Sequence, residues 1–300
     1  MFIDDFNGTI LVIDFGNSAV KFGIFDHITG DSQGYFRVLT KTLRKASYVK
    51  VGVKYARHFL EGAKSKKFPN VRKVVYTSVN PEFSNPFLDG FRSVSGSKIS
   101  FIEINHSNSF SFSSAVDSID EVGIDLLCAC ETVAYRKRKL PTFILDLGTY
   151  SKLIFMNYYD DSYVLEGVNI GPGVWKMRDA GALPKHISPG DHEYNFFRVS
   201  ENLIGKNTPN SFENGNGMMF ANMFTSTIEQ ISVNLLEPNE ENNYHIDVIV
   251  CGGGANLMEE ALEASARFFL DYDLYFEEHL TMVGIYLVYM NNFLIVNGDA

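Results

Sequence analysis

The sequence V-I-D-F-G-N-S-A-V-K-F-G at residues 12 to 23 recurs in altered form as I-L-D-L-G-T-Y-S-K-L-I-F at residues 144 to 155. In each copy a run of apolar β-forming residues enters an Asp-X-Gly turn, and a second such run leaves it, which predicts a β-hairpin. The two aspartates are 146 − 14 = 132 residues apart. This spacing is expected if two lobes of similar topology each carry one hairpin. Chance similarity between two hairpins is the alternative.

The segments around the hairpins alternate between helical and strand patterns, which predicts an α/β protein. A length of 300 residues suits about two domains. Residues 107 to 114 contain five serines and no charge, so they are the predicted connection between domains 1–115 and 116–300. Further helices are predicted at 47–66, 86–94, 123–139, 212–236 and 256–268, and further strands at 73–79, 99–104, 163–170 and 246–251.

Composition excludes several classes of function. With 36 acidic against 26 Lys and Arg residues the formal charge is −10, which disfavours nucleic-acid binding, and the basic runs at 64–67 and 136–139 are interpreted as solvated helix ends. The three cysteines lack a CxxC spacing, which favours a reducing, cytoplasmic location. The chain start lacks signal-peptide features, and the apolar stretch Met282–Met290 is half a membrane span, so no membrane association is expected.

An Asp-X-Gly turn offers a carboxylate at a strand end and a glycine that lets backbone N–H groups approach a ligand closely. Two such turns facing one another across a cleft are expected to hold a nucleotide's phosphates with Mg²⁺, which prefers one or two carboxylates plus phosphate oxygens. A third candidate is the glycine run Gly252–Gly254, which follows an apolar strand. Its glycines either admit a ligand or simply form a strand-to-helix turn.

Taken together, these residues resemble the acetate and sugar kinase, Hsp70 and actin superfamily, which has two ribonuclease H-like lobes with one phosphate-binding hairpin each. The order of motifs is similar to that of the type III pantothenate kinase family. The matching segments are D-F-G-N-S-A-V-K-F-G-I-F at 14–25, T-S-V-N-P at 77–81, G-I-D at 123–125, D-L-G-T at 146–149, G-V-N-I-G-P-G at 167–173, A-L-P at 182–184 and T-x-x-x-F-x-x-G at 208–215.

The resemblance implies ATP-dependent phosphorylation of pantothenate to 4′-phosphopantothenate, the first step of coenzyme A biosynthesis, with Mg²⁺ and a monovalent cation, K⁺ or NH₄⁺. It also implies a homodimer. The helix predicted at 212–236, rich in Met and Phe, is a candidate for the dimer contact, with ordinary core packing as the alternative.

The resemblance also assigns roles to residues. Asp125 is expected to be the base that accepts the proton of the pantothenate hydroxyl, although an aspartate in the first turn of a helix is also favoured by the helix dipole alone. Asp14 is expected near Mg²⁺, and Asp146 is expected to hold the monovalent cation. The residues expected to contact ATP are Asp14, Gly16, Asn17, Ser18, Lys21, Thr149, Gly252 and Gly253. Those expected on the pantothenate side are Gly123, Ile124, Asp125, Leu126, Gly171, Gly173 and Ala180.

Several positions depart from the family pattern. Leu126 stands where an arginine normally helps to bind the carboxylate side of pantothenate, and Lys176 and Arg178 are possible replacements. Ala180 replaces a threonine, and in the second hairpin Tyr150 and Lys152 replace a small residue and a threonine. Two interpretations follow: a divergent kinase with a rebuilt acceptor pocket, or a catalytically impaired homologue that binds nucleotide or pantothenate in a regulatory role.

Overall fold

The computed structural model describes residues 8–27, 29–40, 45–62, 71–180, 197, 204–236, 245–266 and 272–294. The chain divides into two compact units. The first unit comprises residues 1–113, 117–137 and 279–300, and the second comprises 114–116 and 138–278. The basic run at 64–67 and the A-L-P motif at 182–184 lie outside the described residues.

The first unit contains a five-stranded sheet with strand order β3-β2-β1-β4-β5. Its strands are β1 (Thr9–Phe15), β2 (Ala19–Asp26), β3 (Ser32–Leu39), β4 (Val71–Ser78) and β5 (Ser100–Glu103). All seven residues of β1 are buried, because this central strand pairs antiparallel with β2 and parallel with β4. Burial on both faces explains why its sequence is a continuous apolar run rather than an alternating one.

Two helices cover one face of this sheet, α1 (Tyr48–Gly62) and α2 (Pro81–Ser95). The core beneath them is rich in phenylalanine, as in the edge-on contact of Phe15 and Phe87, whose ring centroids are 5.3 Å apart. Helix α2 begins five residues before the predicted start at Pro86. The reason is that Pro81 occupies the first turn, where a missing N–H is harmless, and Pro86 is accommodated inside the helix.

The other face is covered by α7 (Leu280–Phe293), which packs against α3 (Ile124–Arg136). Tyr286 of α7 stacks on Phe25 of β2, with ring centroids 4.8 Å apart. The two helices approach so closely that a Cβ on Gly284 would lie 1.6 Å from the carbonyl oxygen of Cys128. The apolar stretch 282–290 is therefore a buried helix of the first unit.

A buried carboxylate fixes the serine-rich segment to these helices. Glu131 of α3 is fully buried and accepts hydrogen bonds from the Ser111 backbone N–H (2.7 Å), the Ser111 hydroxyl (2.6 Å) and the Asn291 side-chain amide (2.7 Å). The neighbouring Asn292 amide exchanges two hydrogen bonds with the Ser109 backbone. The predicted connection is thus tied to α3 and α7 over much of its length.

The second unit contains a six-stranded sheet with strand order β11-β10-β7-β8-β9-β6. Its strands are β6 (Phe112–Ser114), β7 (Thr142–Leu147), β8 (Tyr150–Tyr159), β9 (Ser162–Pro172), β10 (Ile246–Cys251) and β11 (Tyr272–Phe276). Its helices are α4 (Val174–Ala180), α5 (Thr208–Leu235) and α6 (Ala255–Ala266).

Apart from β6, which adds a sixth strand beside β9 in the second sheet, the two sheets have the same strand directions and connectivity. In each, two antiparallel pairings (β1–β2 and β2–β3, or β7–β8 and β8–β9) are followed by two parallel ones (β1–β4 and β4–β5, or β7–β10 and β10–β11). The repeated Asp-X-Gly sequence therefore marks a repeated topology, and the predicted hairpins are present in both units.

The units divide the chain differently from the predicted domains 1–115 and 116–300. Helices α3 and α7 both lie beyond residue 115 but belong to the first unit. The physical reason is their mutual packing: the Thr132 hydroxyl donates a 2.8 Å hydrogen bond to the Leu280 carbonyl, and α7 covers β1. Asp125 therefore belongs to the same unit as Asp14.

The basic run at 136–139 lies where α3 ends, as predicted, but it is not simply solvated. Arg138 Nε lies 2.6 Å from Asp247 Oδ2 and its NH2 group 3.3 Å from Asp273 Oδ2, while Lys139 Nζ lies 2.9 Å from Asp161 Oδ1. These ion pairs belong to the second unit. Among the described helices, none has both the length and the hydropathy that crossing a bilayer requires.

We predict that Glu131→Ala lowers the free energy of unfolding by about 1–3 kcal/mol, because the Ser111 and Asn291 donors lose the fully buried carboxylate that accepts from them. Urea titration at 25 °C measures this change. As a control, Glu121→Ala at an exposed position of the first unit is expected to stay within about 0.5 kcal/mol of the parent. Equal unfolding midpoints for parent and Glu131→Ala would show that the network does not contribute to stability.

Candidate active site

The first hairpin places its turn residues between the paired positions Phe15 and Val20. The Gly16 N–H donates a 3.1 Å hydrogen bond to the Ala19 carbonyl, which closes the turn. Thr40 anchors it from outside, donating its hydroxyl to the Asn17 carbonyl (3.0 Å) and its N–H to the Ser18 carbonyl (2.9 Å). The loop predicted to contact phosphates is therefore held in one conformation.

Asp14 lies at the end of β1 with only 3% of its surface exposed. Its Oδ2 atom is 3.3 Å from Lys21 Nζ, the residue opposite it on β2. Its Oδ1 atom is buried and has no hydrogen-bond partner among the residues that the structure describes. A buried carboxylate oxygen without a partner is costly, so the arrangement suits a bound cation.

Thr77 is a site candidate that the sequence interpretation missed. It is the register partner of Asp14 on the parallel strand β4, is fully buried, and its hydroxyl also lacks a hydrogen-bond partner within the described part of the chain. The T-S-V-N-P motif carries the signal, because its first two residues, Thr77 and Ser78, are the last two of the strand beside β1. Two neighbouring oxygens without partners fit Mg²⁺ together with phosphate oxygens.

Asp125 stands in the first turn of α3 and is partly buried. A Cβ on Gly123, the residue that caps the helix, would lie 2.5 Å from Asp125 Oδ1. Glycine at 123 therefore leaves the space that the carboxylate occupies. Ile124 and Leu126, two further residues expected on the substrate side, are each only 5% exposed, so their side chains pack in the interior of the first unit.

The pKa of the Cys128 thiol shows which carboxylates lie near it. Burial raises the pKa of this thiol well above its ordinary value, and the carboxylates of Asp14, Asp125 and Glu131 raise it further. Asp14 and Asp125 thus act on the same atom although 111 residues separate them in sequence (125 − 14). The first unit brings together the aspartate expected near Mg²⁺ and the one expected to be the base.

The second hairpin has a tighter turn than the first. Three residues, 148–150, separate the paired Leu147 and Ser151, whereas four residues, 16–19, separate Phe15 and Val20. This change of register sets Lys152 directly opposite Asp146. The Lys152 Nζ atom lies 2.6 Å from Asp146 Oδ2, so the carboxylate expected to hold a monovalent cation already has an ammonium group as its partner.

The glycine run packs around the same aspartate. Gly252 has a φ of +87°, and a Cβ there would lie 2.4 Å from Asp146 Oδ1 and 2.8 Å from the Leu147 backbone. The Gly254 N–H donates a 2.8 Å hydrogen bond to the Leu147 carbonyl. Both interpretations of the run stay open for the exposed Gly253, but Gly252 and Gly254 are required by close packing against the end of β7.

The remaining predicted residues of the second unit surround the turn. Gly173 packs against it so closely that a Cβ would lie 2.2 Å from the Thr149 carbonyl oxygen, whereas Gly171 on β9 has open space at that position. Tyr150 is 47% exposed, and Lys176 Nζ lies 3.9 Å from the centre of its ring. The side chains of Arg178 and Ala180 lie outside the described residues.

Within the described ranges, no three His, Cys, Asp or Glu side chains form a group that could hold a metal ion. Asp14 is therefore not part of a cluster of three such side chains, and the oxygens of Asp14 and Thr77 would need phosphate oxygens to complete a Mg²⁺ site. That the two hairpin turns close around one triphosphate stays a prediction.

Comparison with known proteins identifies the family. A model of the family described as type III pantothenate kinase matches residues 10–230. The type III pantothenate kinase of Acholeplasma laidlawii (strain PG-8A) is 27% identical over 180 residues, which cover 59% of this chain and 61% of that protein. The chain therefore matches less than two thirds of the length of this relative.

Solved structures agree with the predicted fold class. The ethanolamine utilization protein EutJ from Carboxydothermus hydrogenoformans has a TM-score of 0.50 at 10% identity and covers 93% of this chain and 89% of its own. A propionate kinase from Francisella tularensis subsp. tularensis SCHU S4 has a TM-score of 0.50 at 10% identity, covering 93% and 98%. Such low identities concern the fold alone, and on that level they confirm the predicted α/β class with two ribonuclease H-like lobes.

The family model spans both Asp-X-Gly hairpins and the helix that carries Asp125, over well more than half of the chain. The chain belongs to the type III pantothenate kinase family.

Proposed function

We propose that this protein transfers the γ-phosphoryl group of ATP to the 4′-hydroxyl of pantothenate, the first step toward coenzyme A. The observation that carries the proposal is a pair of buried oxygens, Asp14 Oδ1 and Thr77 Oγ1, which have no hydrogen-bond partner among the described residues and lie in the unit that also holds Asp125. Family membership supports pantothenate as the substrate, and the carboxylates of Asp14 and Asp125 support the roles of metal ligand and base.

In the proposed reaction the hydroxyl oxygen of pantothenate attacks the γ-phosphorus, and the bond from that phosphorus to the β–γ bridging oxygen breaks, releasing ADP. Asp125 orients the hydroxyl and accepts its proton. Phosphoryl transfer depends mainly on positioning and on neutralising phosphate charge, so a single well-placed carboxylate is a sufficient base.

The first hairpin is proposed to hold the phosphates. Asp14 and Thr77 are the proposed protein ligands of Mg²⁺, which when bound neutralises charge on the phosphate oxygens. Lys21, with 28% of its side chain exposed, holds one oxygen of Asp14 and presents its ammonium group beside the turn. Asn17 and Ser18 contribute backbone groups of the anchored loop, and Thr149 is the proposed ATP contact of the second unit.

One observation favours a second candidate, a catalytically impaired regulatory homologue. Leu126 is buried, and Lys176, one of the two possible replacements for the missing arginine, is engaged with the ring of Tyr150, while the side chain of Arg178, the other, lies outside the described residues. Without a cation for its carboxylate, pantothenate binding weakens by a charge-assisted hydrogen bond, about 1.5–3 kcal/mol. Calorimetric binding of nucleotide or pantothenate without any turnover would favour this candidate over the kinase.

We further propose a cytoplasmic homodimer. Helix α5 places Phe220 and Phe224 in the core of the second unit, while Met219 is 75% and Met223 39% exposed. The helix thus both packs in the core and presents an apolar stripe, in which the two methionines stand four residues apart on one face. The three cysteines are buried free thiols, which suits a reducing compartment.

The base is tested with Asp125→Asn. We predict that kcat falls by about 10²–10⁴-fold because the proton acceptor is lost, while ATP affinity changes little. Mass-spectrometric detection of 4′-phosphopantothenate provides the measurement, and Asp120→Asn, an exposed residue just before α3, is the control. Equal rates for parent and Asp125→Asn would assign the activity to a contaminant and remove the proposal.

Positioning of the base is tested with Gly123→Ala. The added methyl group overlaps Asp125 Oδ1 and displaces the carboxylate, so kcat is expected to fall by about 10²-fold with an unchanged melting temperature. Gly167→Ala is the matched control, since a Cβ there meets nothing within 4 Å. A fully active Gly123→Ala enzyme would contradict the placement of the carboxylate in catalysis.

The dimer contact is tested with Met219→Glu, which introduces a charge into the exposed stripe of α5. We expect light scattering after size-exclusion chromatography to report a dimer for the parent and a monomer for this variant. A control charge at an exposed position of the first unit, Gln33→Glu, leaves the dimer intact. A parent that is monomeric at micromolar concentration would remove the dimer from the proposal.

A further inference from the structure

The ion pair of the second hairpin is closer and more fully engaged than that of the first. Lys152 Nζ lies 2.6 Å from Asp146 Oδ2, whereas Lys21 Nζ lies 3.3 Å from Asp14 Oδ2. The Lys152 and Asp146 side chains are only 19% and 15% exposed. A contact this short between partly buried groups is a charge-assisted hydrogen bond rather than a loose surface pair.

The surroundings leave this carboxylate little freedom to turn to another ligand. Its Oδ1 atom faces the backbone of Gly252, where a Cβ would lie 2.4 Å away, and it lies 3.5 Å from the Cβ position of Gly148. Both glycines border strand ends, at β10 and β7. The carboxylate is therefore confined between backbone on one side and the Lys152 ammonium group on the other.

This donor set does not fit the monovalent cation that the family resemblance implies at Asp146. A K⁺ or NH₄⁺ ion needs the carboxylate oxygen that Lys152 occupies, and it would lie beside a fixed positive charge of the same sign. Repulsion between two like charges a few ångströms apart is strong where water is partly excluded. The negative charge of Asp146 is therefore already paired with a positive charge, that of the Lys152 ammonium group, which is covalently part of the chain.

The register explains how the lysine reaches this place. The turn of the second hairpin is one residue shorter than that of the first, so Lys152 is paired across the strands with Asp146, and their side chains point to the same face of the sheet. The register of the hairpin therefore positions the Lys152 ammonium group beside Asp146. This group lies at the sheet end where the turn residues Gly148 and Thr149 follow β7.

We propose that the Lys152 ammonium group takes the place of the monovalent cation, so that this protein binds nucleotide without K⁺ or NH₄⁺. The inference rests on the proposed function, because it assigns Asp146 and its turn to the nucleotide site. It adds that a tethered lysine gives the site its positive charge irrespective of the salt present. The family's cation dependence is thereby removed by one substitution at 152.

The test measures binding of a non-hydrolysable ATP analogue with Mg²⁺ by calorimetry, in KCl, NH₄Cl and tetramethylammonium chloride at equal ionic strength. For the parent we expect dissociation constants that agree within about twofold in the three salts. For Lys152→Thr we expect at least tenfold weaker binding in tetramethylammonium chloride and recovery in KCl. The matched control is Lys139→Thr, which removes an exposed Lys–Asp pair of the same unit and is expected to behave like the parent.

Crystals soaked in Tl⁺ provide a second measurement that needs neither turnover nor nucleotide. We expect an anomalous peak beside Asp146 in Lys152→Thr and none there in the parent. Parent binding that strengthens tenfold in KCl, or a Tl⁺ peak at Asp146 in the parent, would overturn the inference even if Lys152→Thr fails to fold.

The outcomes separate the two proposals. A parent that binds the analogue equally in all salts but never phosphorylates pantothenate would leave the lysine inference standing and remove the kinase activity. A parent that phosphorylates pantothenate only when K⁺ is added would establish the kinase activity and overturn the lysine inference. A parent that binds no nucleotide in any salt would overturn both.

Discussion

A carboxylate at the buried end of a strand has to find a positive partner, and this requirement governs both halves of the protein. Each Asp-X-Gly hairpin ends its first strand with an aspartate and places a lysine opposite it on the second. In the first unit the lysine reaches one oxygen and leaves the other without a partner among the described residues. In the second unit the contact is shorter, and the glycine run packs against the opposite side of the carboxylate. One motif thus supports two different electrostatic environments.

The packing of the helices determines which functional side chains lie in the same unit as each hairpin. Because α7 buries β1 and holds α3 against the same face, the aspartate in the first turn of α3 belongs to the unit of the first hairpin. Asp14 and Asp125 then influence one buried thiol, which ties two distant parts of the sequence to one region. The apolar contacts of α7, such as that of Tyr286 with Phe25, therefore have a direct consequence for the position of a proposed catalytic group.

Much of the fold was predictable because it depends on local pattern. Apolar runs predicted β1, β4, β7 and β10, and the repeated hairpin sequence predicted two lobes of similar topology. Helix α7 was not recognised, because a helix that is apolar on every face has no periodicity to distinguish it. Its packing with α3 is a long-range contact, so the boundaries of the units could not follow from the serine-rich segment.

The site was predictable in its aspartates and less so in their partners. The family motifs named Asp14, Asp125 and Asp146, whereas Thr77 emerges only once β4 is aligned with β1. Lys152 could be noted as unusual, but its contact depends on a turn that is shorter by one residue, and turn length sets hairpin register. Pairwise sequence alignment of the two hairpins places Lys152 beside Val20, since 152 − 132 = 20, and so conceals the match with Lys21.

The packing of α7 into the first unit also has a consequence for biosynthesis. Residues 280–293 leave the ribosome after the whole of the second unit, yet β1 and α3 depend on them for cover. The second unit is contiguous enough to fold while the chain is still growing, whereas the first exposes an apolar sheet face until synthesis has passed α7. During that interval the amino-terminal sheet is the part of the nascent protein that most needs protection by a chaperone.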